Sequence, residues 1–120
     1  KRSALGLLYG LISKIRTLIM VKEMQRKGWL RMERQFFRFK QQLEQVPKSA
    51  MPADPKFNPL KLNPYVLFRA LPQSSNYATN ELVSAMQILY EANMKLISSS
   101  LDDEQILQQS IVSIITENPA

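Results

Sequence analysis

The stretch Leu62–Ile115, LNPYVLFRALPQSSNYATNELVSAMQILYEANMKLISSSLDDEQILQQSIVSII, decides the fold. Asn63 followed by Pro64 is a helix-start signal. An asparagine side chain can accept a first-turn backbone N–H, and a proline at the first helical position gives up no intrahelical bond. Tyr65, Phe68 and Leu71 then fall on one side of a short predicted helix, Pro64–Leu71, which Pro72 is expected to end. Thr79 is the expected cap of a longer helix over about Asn80–Ser98, with Leu82, Met86, Leu89, Tyr90, Leu96 and Ile97 inward. Ser98–Ser100 breaks it. Asp102 suits the N-cap of a last helix, with Asp103 and Glu104 in a first turn where carboxylates favour the dipole. Ile106, Leu107, Ile111, Ile114 and Ile115 make its stripe, and Asn118-Pro119 closes it. The apolar residues repeat by three and four, and no strand-like alternation or internal repeat emerges.

Working back toward the N-terminus, five of the seven prolines fall in VPKSAMPADPKFNPLKLNP, Val46–Pro64. Proline cannot continue a helix, so about 47–63 reads as an exposed connection within one domain, 1–120. Before it, Trp29, Met32, Phe36, Phe39, Leu43 and Val46 follow a coiled-coil-like seam, predicting a second helix over about Trp29–Val46. Ser3 to Lys27 is predicted as a long first helix. Leu5, Leu8, Ile12, Ile15 and Ile19 form its stripe, Leu7, Leu11 and Leu18 widen it, and Gly28 stops it. The short turn at Gly28 implies that the first two helices pack antiparallel. The expected architecture is all-α: a five-helix bundle with a long antiparallel first pair and three C-terminal helices.

Composition excludes much chemistry. The 120 residues contain no cysteine and no histidine. That removes disulfides, Cys-based metal sites, the commonest metal ligand and every Ser-His or Cys-His arrangement. Three glycines, at 6, 10 and 28, fit no dinucleotide or phosphate-loop spacing. The acids Asp102, Asp103 and Glu104 read as helix capping rather than a cation site. No catalytic residue, cofactor or metal ligand is expected. The run SALGLLYGLIS, Ser3–Ser13, is 11 residues long, too short by itself to cross a bilayer. No cleavage-site pattern follows it, so it is not expected to be a signal peptide.

Charge is divided along the chain. The net charge is +6, but residues 1–69 carry 15 Lys/Arg against 4 acids, whereas residues 70–120 carry one lysine against 6. A basic face of this kind suits nucleic acid, anionic lipid or an acidic protein.

Three segments together resemble the C-terminal collar domain of the DNA polymerase III delta subunit, a clamp-loader component. They are SKIRTLIMVKEMQRKG at Ser13–Gly28, LKLNPYVLFRAL at Leu60–Leu71, and LVSAMQILYEANMKLISSSLDDEQILQQSIVSI at Leu82–Ile114. They stand in the family's order and span nearly the whole chain. Pro64-Tyr65-Val66, YEANMKL and SLDDE are the most specific pieces. Asn63 stands where the family often has histidine, and Asn93 where it often has aspartate. The span Trp29–Pro59 is longer than the family's, and nothing carries over to it. The resemblance implies an all-helical oligomerisation domain, the C-terminal part of a longer chain, packed beside the delta-prime and motor subunits of a cytoplasmic bacterial or organellar replication machine. It implies a non-catalytic subunit of a DNA-directed DNA polymerase holoenzyme, without cofactor, small-molecule substrate or membrane partner.

The residues on which contacts are expected fall in two groups. Lys22, Arg26, Lys27, Arg31, Arg34, Arg38 and Lys40 either touch DNA or a partner, or form a solvated helix face. Phe37, off the seam, is a second core contact, a partner-facing residue or a base-stacking one. Trp29 is expected to anchor the core. Tyr90 and Asn93 are candidate subunit-interface residues, Asn93 alternatively a satisfied buried amide or a boundary position. A competing reading is a free-standing basic helical nucleic-acid-binding domain. The acidic, polar fourth helix is a poor recognition helix and counts against it.

Overall fold

The computed structural model describes the backbone of residues 2–98 and 103–117, and the side chains of 4–96 and 106–115. These residues form five α-helices: α1 (Arg2–Arg26), α2 (Phe36–Glu44), α3 (Pro64–Ser74), α4 (Thr79–Ser98) and α5 (Asp103–Glu117). Single 3-10 turns occupy Lys48–Ala50, Pro55–Phe57 and Pro59–Lys61, and there is no strand among the described residues. The chain is all-α with five helices, as its periodicity predicts. It packs as two compact units. A central unit runs continuously from Arg16 to Ala78, and a terminal unit combines Lys1–Ile15 with Thr79–Ala120.

The central unit is built around an abrupt end to α1. Gly28 sits at φ +76°, its N–H donates to Gln25 O at 2.9 Å, and Trp29 N–H donates to Met24 O at 2.9 Å. This pair of bonds is a Schellman motif, which needs a left-handed residue just past the helix end. The chain does not re-enter a helix at Trp29. Residues 30–35 are non-helical and α2 begins at Phe36, so the predicted seam is real only from Phe36 onward. Side chains hold the segment out. Glu33 Oε1 accepts from Arg34 N at 2.9 Å and Gln35 N at 3.1 Å, and Gln42 Oε1 accepts from Arg31 N at 2.7 Å. Met32 is consequently 57% exposed and Trp29 only partly buried, while Leu30, which the seam omits, is fully buried.

α2 packs against α3. Phe36 meets Tyr65 and Phe68 edge-on at 5.5 and 5.4 Å between centroids, and Phe39 lies 5.4 Å from Phe68. Such aromatic pairs contribute about 0.5–1.5 kcal/mol each beyond their buried area. Phe39, Leu67, Ala70 and Leu71 are fully buried. Asn63 Oδ1 accepts from Tyr65 N at 2.9 Å with Pro64 at the first position, the start the sequence announces. Pro72 does not end α3, which continues to Ser74. The end carbonyls of the helix, which no later N–H can meet, are taken up by hydroxyls: Ser74 Oγ donates to Leu71 O and Ser75 Oγ to Pro72 O, both at 2.7 Å. The proline-rich connection is more ordered than a spacer. Asp54 and Asn58 cap its turns by accepting from Lys56 N and Leu60 N at 3.0 Å each, and Pro59 is buried.

In the terminal unit α4 packs against α5. Leu82, Ala85, Met86, Leu89, Ala92 and Leu96 of α4 and Ile106 and Leu107 of α5 are buried. Thr79 is the first residue of α4 rather than its cap. Tyr90, expected inward, is 44% exposed; on α5, Ile111 and Ile115 are exposed and Ile114 half-buried. Ala85 and Ala92, outside the predicted inward set, are buried as well. The predicted roles of Asp102 and of Asn118-Pro119, and the side chains of Ile97, Asp103 and Glu104, lie outside the described residues.

α1 is buried at Ala4, Leu8 and Ile12, then at Thr17, Leu18, Val21 and Met24, while Leu7 is 61% exposed. At about 100° per residue the second set lies on roughly the opposite side of the helix from the first. That change of side spreads apolar residues over both sides of α1. It also makes Ala4–Arg26, rather than an 11-residue run, the apolar helix to consider. By length and composition it could cross a membrane: its most apolar 18-residue window has a mean hydropathy of 1.6, and 33% of that window is buried.

Candidate functional site

The basic run of the sequence belongs to the central unit, where 12 Lys/Arg face 4 Asp/Glu. Few of these charges are neutralised locally. Arg26 donates to both carboxylate oxygens of Glu23 one turn back, through Nε at 2.9 Å and through Nη2. That hydrogen bond, ahead of the added attraction of Arg26 and Lys27, holds the Glu23 carboxyl below its ordinary value and raises the Arg26 guanidinium. Glu33 spends an oxygen on backbone N–H groups. Arg31, Arg34 and Arg38 are exposed and form no ion pair among the described residues.

Between the Gly28 bend and α2 lies an open cleft of about 650 Å³. Trp29, Arg31 and Glu33 line it from the bend, and Arg38, Gln41, Gln42, Glu44 and Gln45 from α2. Positions 38, 41, 42 and 45 fall along one side of α2. The Lys27 ammonium sits 4.9 Å from the Trp29 ring centroid. Phe37, four residues before Gln41, flanks the cleft-facing side of α2 and is 70% exposed, which excludes the core contact allowed for it. Glu33 also borders a second, more apolar groove with Met32, Arg34, Phe68 and Arg69.

The predicted basic residues therefore separate. Arg31 and Arg38 share the cleft, and Arg34 lines the adjoining groove. Arg31 and Arg34 precede α2 rather than riding its polar side. Lys27 covers Trp29, Arg26 is engaged by Glu23, Lys22 is half-buried on α1, and Lys40 lies 5.9 Å from the Phe36 ring. Sequence reasoning missed the cleft's carboxamides, although the spacing of Gln41, Gln42 and Gln45 carried the signal.

Tyr90 and Asn93 stand one turn apart on α4 in the terminal unit. Tyr90 is exposed, and Asn93 is half-buried, a boundary position, with its Oδ1 buried and without a hydrogen-bond partner. The terminal unit also exposes Leu7 and Tyr9 on α1, Val83 and Met94 on α4, and Val112 and Ile115 on α5. No family model, curated protein or solved structure matches the chain.

Proposed function

We propose that this chain is the C-terminal oligomerisation (collar) module of a DNA polymerase III delta-like clamp-loader subunit, acting in replication through assembly of the complex that loads the sliding clamp. The observation that carries the reading is the ordered resemblance at Ser13–Gly28, Leu60–Leu71 and Leu82–Ile114. Its support in the fold is the Asn63-Pro64 start of α3 and the exposed apolar side chains of α1, α4 and α5 in the terminal unit. Exposed apolar surface in excess of isolated residues marks protein contact sites. On this reading the module catalyses nothing itself, works in the cytoplasm beside the delta-prime and motor subunits, and meets DNA through the assembly or its basic half. The test is co-purification with the motor and delta-prime subunits of the same clamp loader, read by native mass spectrometry. Stoichiometric incorporation is the expected result. A folded chain that stays out of the complex overturns the reading.

A further inference from the structure

We infer that the cleft between the Gly28 bend and α2 binds single-stranded nucleic acid, with bases stacked on Trp29 and Phe37 and phosphates held by Arg31, Arg38 and Arg34. The inference is independent of the collar reading, because residues 29–45 fall in the segment to which the family resemblance does not extend.

Three observations converge on it. First, the central unit has 12 basic against 4 acidic residues, and Arg31 and Arg38 at the cleft and Arg34 in the adjoining groove are exposed and form no ion pair among the described residues. Two carboxylates line the cleft with them, Glu33 and Glu44, and Glu33 spends one oxygen on the backbone N–H groups of Arg34 and Gln35. Second, two aromatic side chains are left in reach of a ligand. Trp29 lines the cleft, and Phe37 is 70% exposed beside Gln41. Both escape the Phe36–Phe39–Phe68 cluster, which consumes the other aromatics of this region. Third, the basic groups form a track. Glu33 borders both grooves, so a polymer leaving the Arg31–Arg38 cleft runs on to Arg34 and Arg69.

This combination discriminates between polyanions. A duplex hides its base faces, so it would engage the arginines and leave both rings idle. An acidic peptide would use the charge but neither the stacking surfaces nor the carboxamides of Gln41 and Gln45, which suit base edges. Stacking on an aromatic is worth about 5- to 150-fold in affinity per base and tolerates any sequence. Lys27, now over the Trp29 ring, can move to a phosphate as a base replaces it.

Trp29 is the one tryptophan in the chain, so its fluorescence reports the cleft directly. The experiment titrates the chain with oligo(dT) and oligo(U) of about 20 nucleotides, a duplex of equal length and polyglutamate, from about 50 to about 200 mM salt. Fluorescence and the anisotropy of labelled probes are read together. Expected are saturable quenching by the single strands, at least about tenfold tighter binding than to duplex or polyglutamate, and a loss of about tenfold in Phe37→Ala. Arg31→Ala/Arg34→Ala/Arg38→Ala should flatten the salt slope by about two. Whichever of dT or U binds tighter identifies the preferred sugar. All these side chains are exposed or partly so, and circular dichroism confirms that the variants fold. Duplex or polyglutamate binding equal to oligo(dT), binding without a change at Trp29, an unaffected Phe37→Ala, or no binding at all would each overturn the inference.

Discussion

Gly28 is the residue on which the central unit turns. An added Cβ there meets nothing within 4 Å, so the cost of a side chain is wholly that of φ +76°. Gly28→Ala should therefore lower stability by about 1–2 kcal/mol, measured by urea denaturation, without altering the core. Gly6→Ala, with equal space inside α1, should raise it slightly, by up to about 1 kcal/mol. Glu23 makes the opposite kind of statement. Its pKa is depressed in the folded chain by the Arg26 hydrogen bond, so its contribution is present above the ordinary carboxylate range and disappears as pH falls through the lower folded value. The stability difference between wild type and Glu23→Gln should accordingly shrink as pH falls below the ordinary carboxylate range and vanish below the lower folded value, and a difference that persists in stronger acid would contradict the pairing. Gly28 was legible as a stop in the sequence. The Glu33 and Gln42 side-chain bonds that keep residues 30–35 out of a helix were not, because periodicity records where apolar residues fall and not which backbone N–H a carboxylate takes.

At the scale of elements, the pairing of α2 with α3 rests on the aromatic cluster. Phe39 is fully buried and adjoins Phe68, so Phe39→Ala should cost about 3–5 kcal/mol by calorimetry or denaturant, whereas Phe37→Ala, two positions away, should cost next to nothing. The predicted seam got Phe36, Phe39 and Val46 right and placed Trp29 and Met32 wrongly, since a heptad count continues through a segment that is not helical. Pro72 misled for a related reason. A proline disfavours helix by removing an N–H and crowding the preceding turn, but α3 runs only two residues beyond Pro72, and Ser74 and Ser75 hydroxyls take up the carbonyls of Leu71 and Pro72 at its end. On α4 and α5 the period was legible, but its phase drifted outward at Tyr90 and Ile111.

For the whole molecule, the sequence carried the class and the number of helices, and the charge division located the basic cleft's half of the chain. It left the cleft itself unseen, because Gln41, Gln42 and Gln45 become neighbours of Arg31 only once α1 stops and the chain bends. The exposed apolar side chains of the terminal unit separate the remaining readings. If they meet partner subunits, Val112→Asp, 61% exposed, should leave the fold intact and weaken incorporation into the clamp loader by about tenfold or more. The wild-type chain should stay in the supernatant when spun with anionic vesicles; sedimentation would instead assign α1, apolar over Ala4–Arg26, to a lipid phase.

The division of the chain also sets an order of events. The central unit is one uninterrupted stretch, Arg16–Ala78, whereas the terminal unit joins Lys1–Ile15 to Thr79–Ala120. A nascent chain leaving the ribosome can therefore close the α2–α3 pairing before α4 exists. The first turns of α1 must wait for partners more than sixty positions downstream, with the entropy of that closure still to be met. Backbone amides of α3 should gain protection from exchange before those of α4 and α5 during refolding. During synthesis the apolar start of α1 is the segment that stays open longest, and so the natural target for a holding chaperone.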